Sequence, residues 1–295
     1  MLSEAIEVYR SARLADCEER AFMLTAVGVP SEIDHPGPEF VLLVDPHAAS
    51  EAQFHLRQYE WERRPQPRPA PLPPPRLHPD AWVGCAIYAI ALLWIAYAVS
   101  HGIGRLDDFS VGELYAAAMQ RGEWWRAWTA LTLHLGPAHL SANLGAGVWF
   151  GYLCGRVLGP GLAWALIVNG GACANLIEGL LAAPSHRAAG ASTAVFTALG
   201  LLAAHTWSTR RGLERHWALG WGPLIAGVVL LGWLGTAGAH TDVFAHLAGF
   251  VVGGVLGVVV AIPAVRRVLD TLPQWLTGAL AVAPMALAWL LALGS

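Results

Sequence analysis

Beyond residue 80 the chain consists of long apolar runs broken by short polar stretches, each run about the 20 residues that cross a bilayer as a helix. Seven runs are expected, at 81–100, 138–158, 161–181, 190–206, 218–238, 242–262 and 276–294. The fourth is short and opens on Ser192 and Thr193, which predicts a helix enclosed by its neighbours rather than facing lipid. Glycine recurs every fourth residue at Gly147, Gly151, Gly155 and Gly159 in the second run and at Gly249, Gly253 and Gly257 in the sixth. Such rows let helix backbones approach closely within lipid. Between the first two runs, the segment 101–137 carries Trp124, Trp125 and Trp128, residues suited to the membrane interface.

The first sixty residues follow a different pattern. Ala5–Tyr9, Ser31–Asp34 and Phe40–Val44 read as strands, and Leu14–Val27 and Pro46–Trp61 as helices. That βαββα order fits half of a ferredoxin-like layer. Residues 65–79, PQPRPAPLPPPRLHP, predict an extended, semi-rigid spacer. The expected division is a cytosolic α+β domain at 1–62, a Pro-rich linker at 63–80, a six-helix membrane core at 81–262, and a cytoplasmic loop with an extra C-terminal span at 263–295. MLSEAIEVYR has no basic stretch followed by an apolar one, so no cleaved signal peptide is expected.

Composition agrees with a membrane class. Hydrophobic residues make up 55% of the 295 and charged residues only 13%, against about a quarter in soluble proteins. The net charge of −3 offers no basic footprint for nucleic acid, and all 18 basic residues are Arg, which excludes a lysine-dependent mechanism. The four cysteines have no metal-site or disulfide spacing and read as reduced. Arg63, Arg64, Arg68, Arg76, Arg156, Arg210, Arg211, Arg215, Arg266 and Arg267 fall on one side of the spans and Arg105, Arg121, Arg126 and Arg187 on the other. The positive-inside rule then predicts an inner-membrane protein with N-terminus cytoplasmic and C-terminus outside.

Polar residues inside spans are costly and mark function by default. With that orientation the second, fourth and sixth runs all enter from outside, so His139, Asn143, Ser192 and His246 fall near one shallow plane. A serine hydroxyl becomes a nucleophile when an imidazole accepts its proton. His139 and Asn143, at i and i+4 spacing, offer donors to a developing oxyanion. Phe196, four residues after Ser192, is placed to stack on the imidazole, and Gly249 would let the sixth helix approach the fourth. This is acyl-transfer chemistry.

At these residues the sequence resembles the rhomboid family of intramembrane serine proteases. The strings are EWWRAWTALTLHLGPAHLSANL, with Trp125–Arg126, His134, His139 and Asn143; GASTAVFTALG, with Gly190, Ser192 and Gly200; and AHLAGFVVG, with His246, Gly249 and Gly253. The resemblance implies an all-α polytopic membrane fold of six core helices plus one C-terminal helix. It implies Ser192 as nucleophile, His246 as general base, and His139, Asn143 and the Ser192 backbone N–H as oxyanion donors. It also implies a transmembrane protein substrate, with no cofactor and no metal. The sequence departs from the family's pattern at Thr193, where glycine usually follows the nucleophile, and at Gly155, where an acidic residue is common.

Other readings share these residues. Asp242, four residues before His246, could orient the imidazole but reads better as a helix cap. Ser141, Asn169, Asn175 and His205 are assigned to packing. Six histidines, His101, His134, His139, His186, His240 and His246, lie on the outer side, yet no H-E-x-x-H occurs and no carboxylate has ligand spacing. A catalytically silent rhomboid-like protein that binds transmembrane helices is the alternative to a protease. Gly235–Thr241 is a candidate movable lid, and the N-terminal domain is expected to have a cytosolic partner or ligand not specified by its sequence.

Overall fold

The computed structural model describes residues 5–64, 77–103, 109–210, 217–235 and 242–294. The chain divides into two units, Met1–Leu72 and Pro73–Ser295. The linker residues 65–76 and residues 236–241 of the candidate lid lie outside the described residues.

The first unit contains β1 (Ile6–Ser11), α1 (Leu14–Ala26), β2 (Ser31–Asp34), β3 (Phe40–Val44) and α2 (Ala49–Arg63). Its antiparallel sheet has the order β1-β3-β2, so β3 is inserted between the strands that α1 connects. Register places Tyr9 and Ile33 on either side of Leu42, and Leu42 and Val44 are fully buried with Leu24 and Ala52 of the two helices. The helices cover that apolar sheet face, and Val29 and Leu56 complete the small core. Arg20 is buried at its edge because the guanidinium lies 4.0 Å over the Tyr9 ring and pairs with Glu60.

The second unit is helical: α3 (Trp82–Ser100), α4 (Ala116–Gln120), α5 (Arg126–Thr129), α6 (Pro137–Leu158), α7 (Pro160–Leu181), α8 (Ser192–Arg210), α9 (Trp217–Gly235), α10 (Val243–Ala261), α11 (Pro263–Leu269) and α12 (Gln274–Gly294). A two-stranded ladder joins β4 (Leu114–Tyr115) to β5 (Arg187–Ala188). Among the described residues four helices, α3, α7, α10 and α12, are long and apolar enough to cross a membrane, consistent with a multi-pass membrane protein.

Helix α8 is the hub, packing against α6, α7, α9 and α10. It is buried from Thr193 to Leu201, in keeping with its polar start. The glycine row of α10 explains its closest contact. A Cβ at Gly249 would lie 2.5 Å from the Thr193 carbonyl oxygen, while Cβ atoms at Gly253 and Gly257 would meet the carbonyls of Thr197 and Leu201. Backbone thus rests on backbone for two turns.

A single residue joins α6 to α7. Gly159 has φ +89°, a left-handed value that favours glycine, and Pro160 starts α7 at a position where its missing N–H is not needed. Gln274 of α12 reaches this corner, its Oε1 accepting from the backbone N–H of Gly161 at 2.8 Å and of Leu162 at 3.2 Å. Farther along α12, the Leu280 carbonyl accepts from Asn169 Nδ2 at 2.9 Å, and Trp289 Nε1 donates to Thr132 Oγ1 at 3.2 Å. The C-terminal helix is therefore bound to the bundle by hydrogen bonds as well as by apolar contact.

Candidate active site

Ser192 opens α8 directly after Gly190 and Ala191, and the approach to it is tightly built. Gly190 has φ +146°, its N–H donates to the Ala130 carbonyl at 3.0 Å, and a Cβ there would stand 2.7 Å from the His139 ring. Only glycine combines that backbone with that neighbour. The Ala191 N–H points at His134 Nε2, 3.4 Å away, while His134 Nδ1 lies 3.3 Å from the Thr132 carbonyl. A carbonyl can only accept, so Nδ1 carries the proton and Nε2 is the acceptor. Burial, with His139 beside it, pushes the His134 imidazole down to about 4.

His139 and Asn143 lie one turn apart on α6. Asn143 is buried; its Nδ2 donates to the His139 carbonyl at 3.1 Å, and Tyr88 of α3 donates to the Asn143 carbonyl at 2.9 Å. One of the two amide protons of Asn143 is left for another acceptor. The His134 and His139 rings meet edge-on at 5.2 Å.

His246 is buried one turn into α10, its ring centroid 4.4 Å from that of Phe196 at an interplanar angle of 34°. Its Nδ1 is 2.9 Å from the carbonyl of Gly235, the last residue of α9. That contact assigns the proton to Nδ1 and leaves the Nε2 lone pair free to accept one. Asp242 Oδ1 accepts from Ala245 N–H at 2.9 Å and so caps α10.

A cavity of about 1050 Å³ gathers Ser192, His246, His139, Asn143, Phe196 and Gly190 along its wall. Among the described residues Ser192 and His246 share no hydrogen bond. Three predicted residues stand apart from the cavity. Gly249 packs against Thr193 behind it. Arg126 is buried and holds the segment before α6 together, bonding Glu123 Oε2 at 2.7 Å and the carbonyls of Ser110 at 2.7 Å and Glu113 at 2.9 Å. Trp125 lies beside it, edge-on to Trp124.

Residues 121–263 match the family model described as the Rhomboid domain. The rhomboid protease GluP of Bacillus subtilis (strain 168) is 32% identical over 133 residues, which is 45% of this chain and 25% of that protein. Residues 121–263 of this chain form a Rhomboid domain. The match spans about a quarter of the relative's length.

Within this domain three of the four intramembrane polar residues assigned to packing have main-chain hydrogen-bond partners. Ser141 Oγ bonds the Pro137 carbonyl at 2.7 Å, Asn169 the Ala165 carbonyl at 2.8 Å and Asn175 Nδ2 the Ala127 carbonyl at 2.8 Å. Among the described residues the buried Thr193 Oγ1 has no hydrogen-bond partner. Sequence reasoning missed Glu178, a fully buried carboxylate in the cavity wall. It is the lone charged residue of a 22-residue apolar helix, and that was a usable signal.

Proposed function

We propose that this rhomboid protein is an intramembrane serine endopeptidase that cleaves transmembrane or membrane-proximal segments of membrane proteins. What supports the reading above all is one arrangement: Ser192 and His246 line one cavity from two helices in backbone contact, and His246 holds its proton on Nδ1. Ser192 Oγ attacks the scissile carbonyl while its proton passes to His246 Nε2. His139, Asn143 and the Ser192 N–H receive the oxyanion. His246 then protonates the leaving amine, and water hydrolyses the acyl-enzyme by the same proton route in reverse.

The hydroxyl and imidazole need only approach when substrate is bound, since catalytic hydrogen bonds in ligand-free enzymes are commonly long. In the same reading the N-terminal α+β unit and the proline-rich spacer are cytosolic, the cavity opens toward the outer face of the inner membrane, and the C-terminus is outside. The catalytically silent alternative draws on the missing Ser192–His246 bond. A serine-directed fluorophosphonate decides between them: wild-type protein labels and Ser192→Ala does not, and an unlabelled wild-type protein would refute the protease.

A further inference from the structure

Three acid and imidazole groups outside the proposed dyad meet at the rim of the same cavity. Glu178 Oε1 lies 2.7 Å from His186 Nε2, and Asp242 Oδ2 lies 3.2 Å from the same nitrogen. All three ligand atoms fall within 4.8 Å of one another. Glu178 and Asp242 also share a side-chain hydrogen bond, so a proton or a cation must lie between their carboxyl groups. One imidazole N–H is divided between two carboxylates, and Glu178, whose side chain is 2% exposed, keeps its Oε2 buried with no hydrogen-bond partner among the described residues. A buried carboxylate oxygen without a donor is costly, and a bound cation would relieve that cost.

We propose that Glu178, His186 and Asp242 bind a divalent transition-metal ion, with Zn²⁺ the best match. One imidazole and two carboxylates form a three-ligand zinc set with a fourth position open to water. Bonds of about 2.1 Å in a tetrahedron set ligand atoms about 3.4 Å apart, so the groups need move only by tenths of an ångström to about an ångström. The His186 and Asp242 side chains are partly exposed, at 29% and 28%, which gives the ion a way in. The loop carrying His186 is already pinned, with the His186 carbonyl accepting from Ala116 N–H at 3.0 Å and the Pro184 carbonyl from Ala117 N–H at 3.1 Å. The neighbouring cation is occupied elsewhere: Arg187 pairs with Glu113 and lies 3.9 Å over the Tyr115 ring.

The ion acts as a clasp. It joins the end of α7 and the loop after it to Asp242, the N-cap of α10, one turn before His246. Metal occupancy thereby fixes the start of the helix that carries the imidazole, and the assignment stands whether or not the protein cleaves peptides.

The test uses full-length protein in nanodiscs, stripped by a chelator and titrated with Co²⁺. One equivalent should produce the strong visible bands of tetrahedral cobalt, and Zn²⁺ should bleach them. His186→Asn, which leaves the buried carboxylate in place, and Asp242→Asn, which keeps an oxygen for the Ala245 cap, should each weaken binding by more than about 100-fold. Zn²⁺ should also raise the melting temperature of wild type but of neither variant. Absent cobalt bands in wild type would overturn the site in favour of a proton held between the carboxylates. Bands that survive in both variants would place the metal elsewhere and overturn it equally.

Discussion

The imidazole of His246 is fixed by a main-chain atom, since its Nδ1 donates to the carbonyl of Gly235 across 2.9 Å while Phe196 covers its face. A carbonyl cannot titrate, so this support holds one tautomer wherever the ring is neutral. Replacing His246 by Gln should therefore remove the proton acceptor and lower cleavage of a transmembrane reporter by about 10³-fold or more. Phe196→Ala should lower kcat about tenfold, because stacking orients the ring. Steady-state cleavage in proteoliposomes measures both.

The α8–α10 contact predicts a sharp contrast between adjacent glycines. Gly253→Ala places a methyl against the Thr197 carbonyl, whereas a Cβ at Gly254 meets nothing within 4 Å. The first substitution should cost about 1–3 kcal/mol of overpacking and the second nearly nothing. Unfolding of purified protein in mixed detergent micelles distinguishes them.

Thr193 can be tested without changing its shape. Among the described residues its buried hydroxyl has no hydrogen-bond partner, so Thr193→Val should leave stability unchanged or raise it by about 1 kcal/mol, with cleavage retained. Loss of fluorophosphonate labelling in this variant, with the fold intact, would show that the hydroxyl serves the site directly.

His134 predicts a dependence on acid. Its folded value is about 4 against an ordinary 6.5, so between those pH values the unfolded chain binds a proton that the folded chain does not. Stability from this residue is fully present above 6.5 and falls as pH drops toward 4. The melting temperature of wild type should decline across that window more steeply than that of His134→Gln, measured on the same membrane preparation.

Much of the helix placement was legible because long apolar runs advertise themselves. The seven expected runs coincide with α3, α6, α7, α8, α9, α10 and α12 within a few residues, and the strands Ser31–Asp34 and Phe40–Val44 lie where alternation put them. Helix spacing likewise brought His139, Asn143, Ser192 and His246 to a common cavity wall. Spacing could not reveal contacts made by the main chain, such as Gly235 on His246 or Ala130 on Gly190. Nor could it reveal the Glu178–His186–Asp242 cluster, whose members come from three elements up to 64 residues apart (242 − 178). Searching for ligands at fixed intervals fails where folding supplies the proximity.

The corner at Gly159 has a mechanical consequence. His139 and Glu178 stand 20 and 19 residues from it on the two helices it joins, a distance of about 30 Å at 1.5 Å per residue. A tilt of about 2° at the corner shifts the far ends by roughly 1 Å, an error worth about a hundredfold in rate to a reacting geometry. Gln274 grips that fulcrum, so the last helix of the chain holds leverage over a cavity on the opposite side of the bundle.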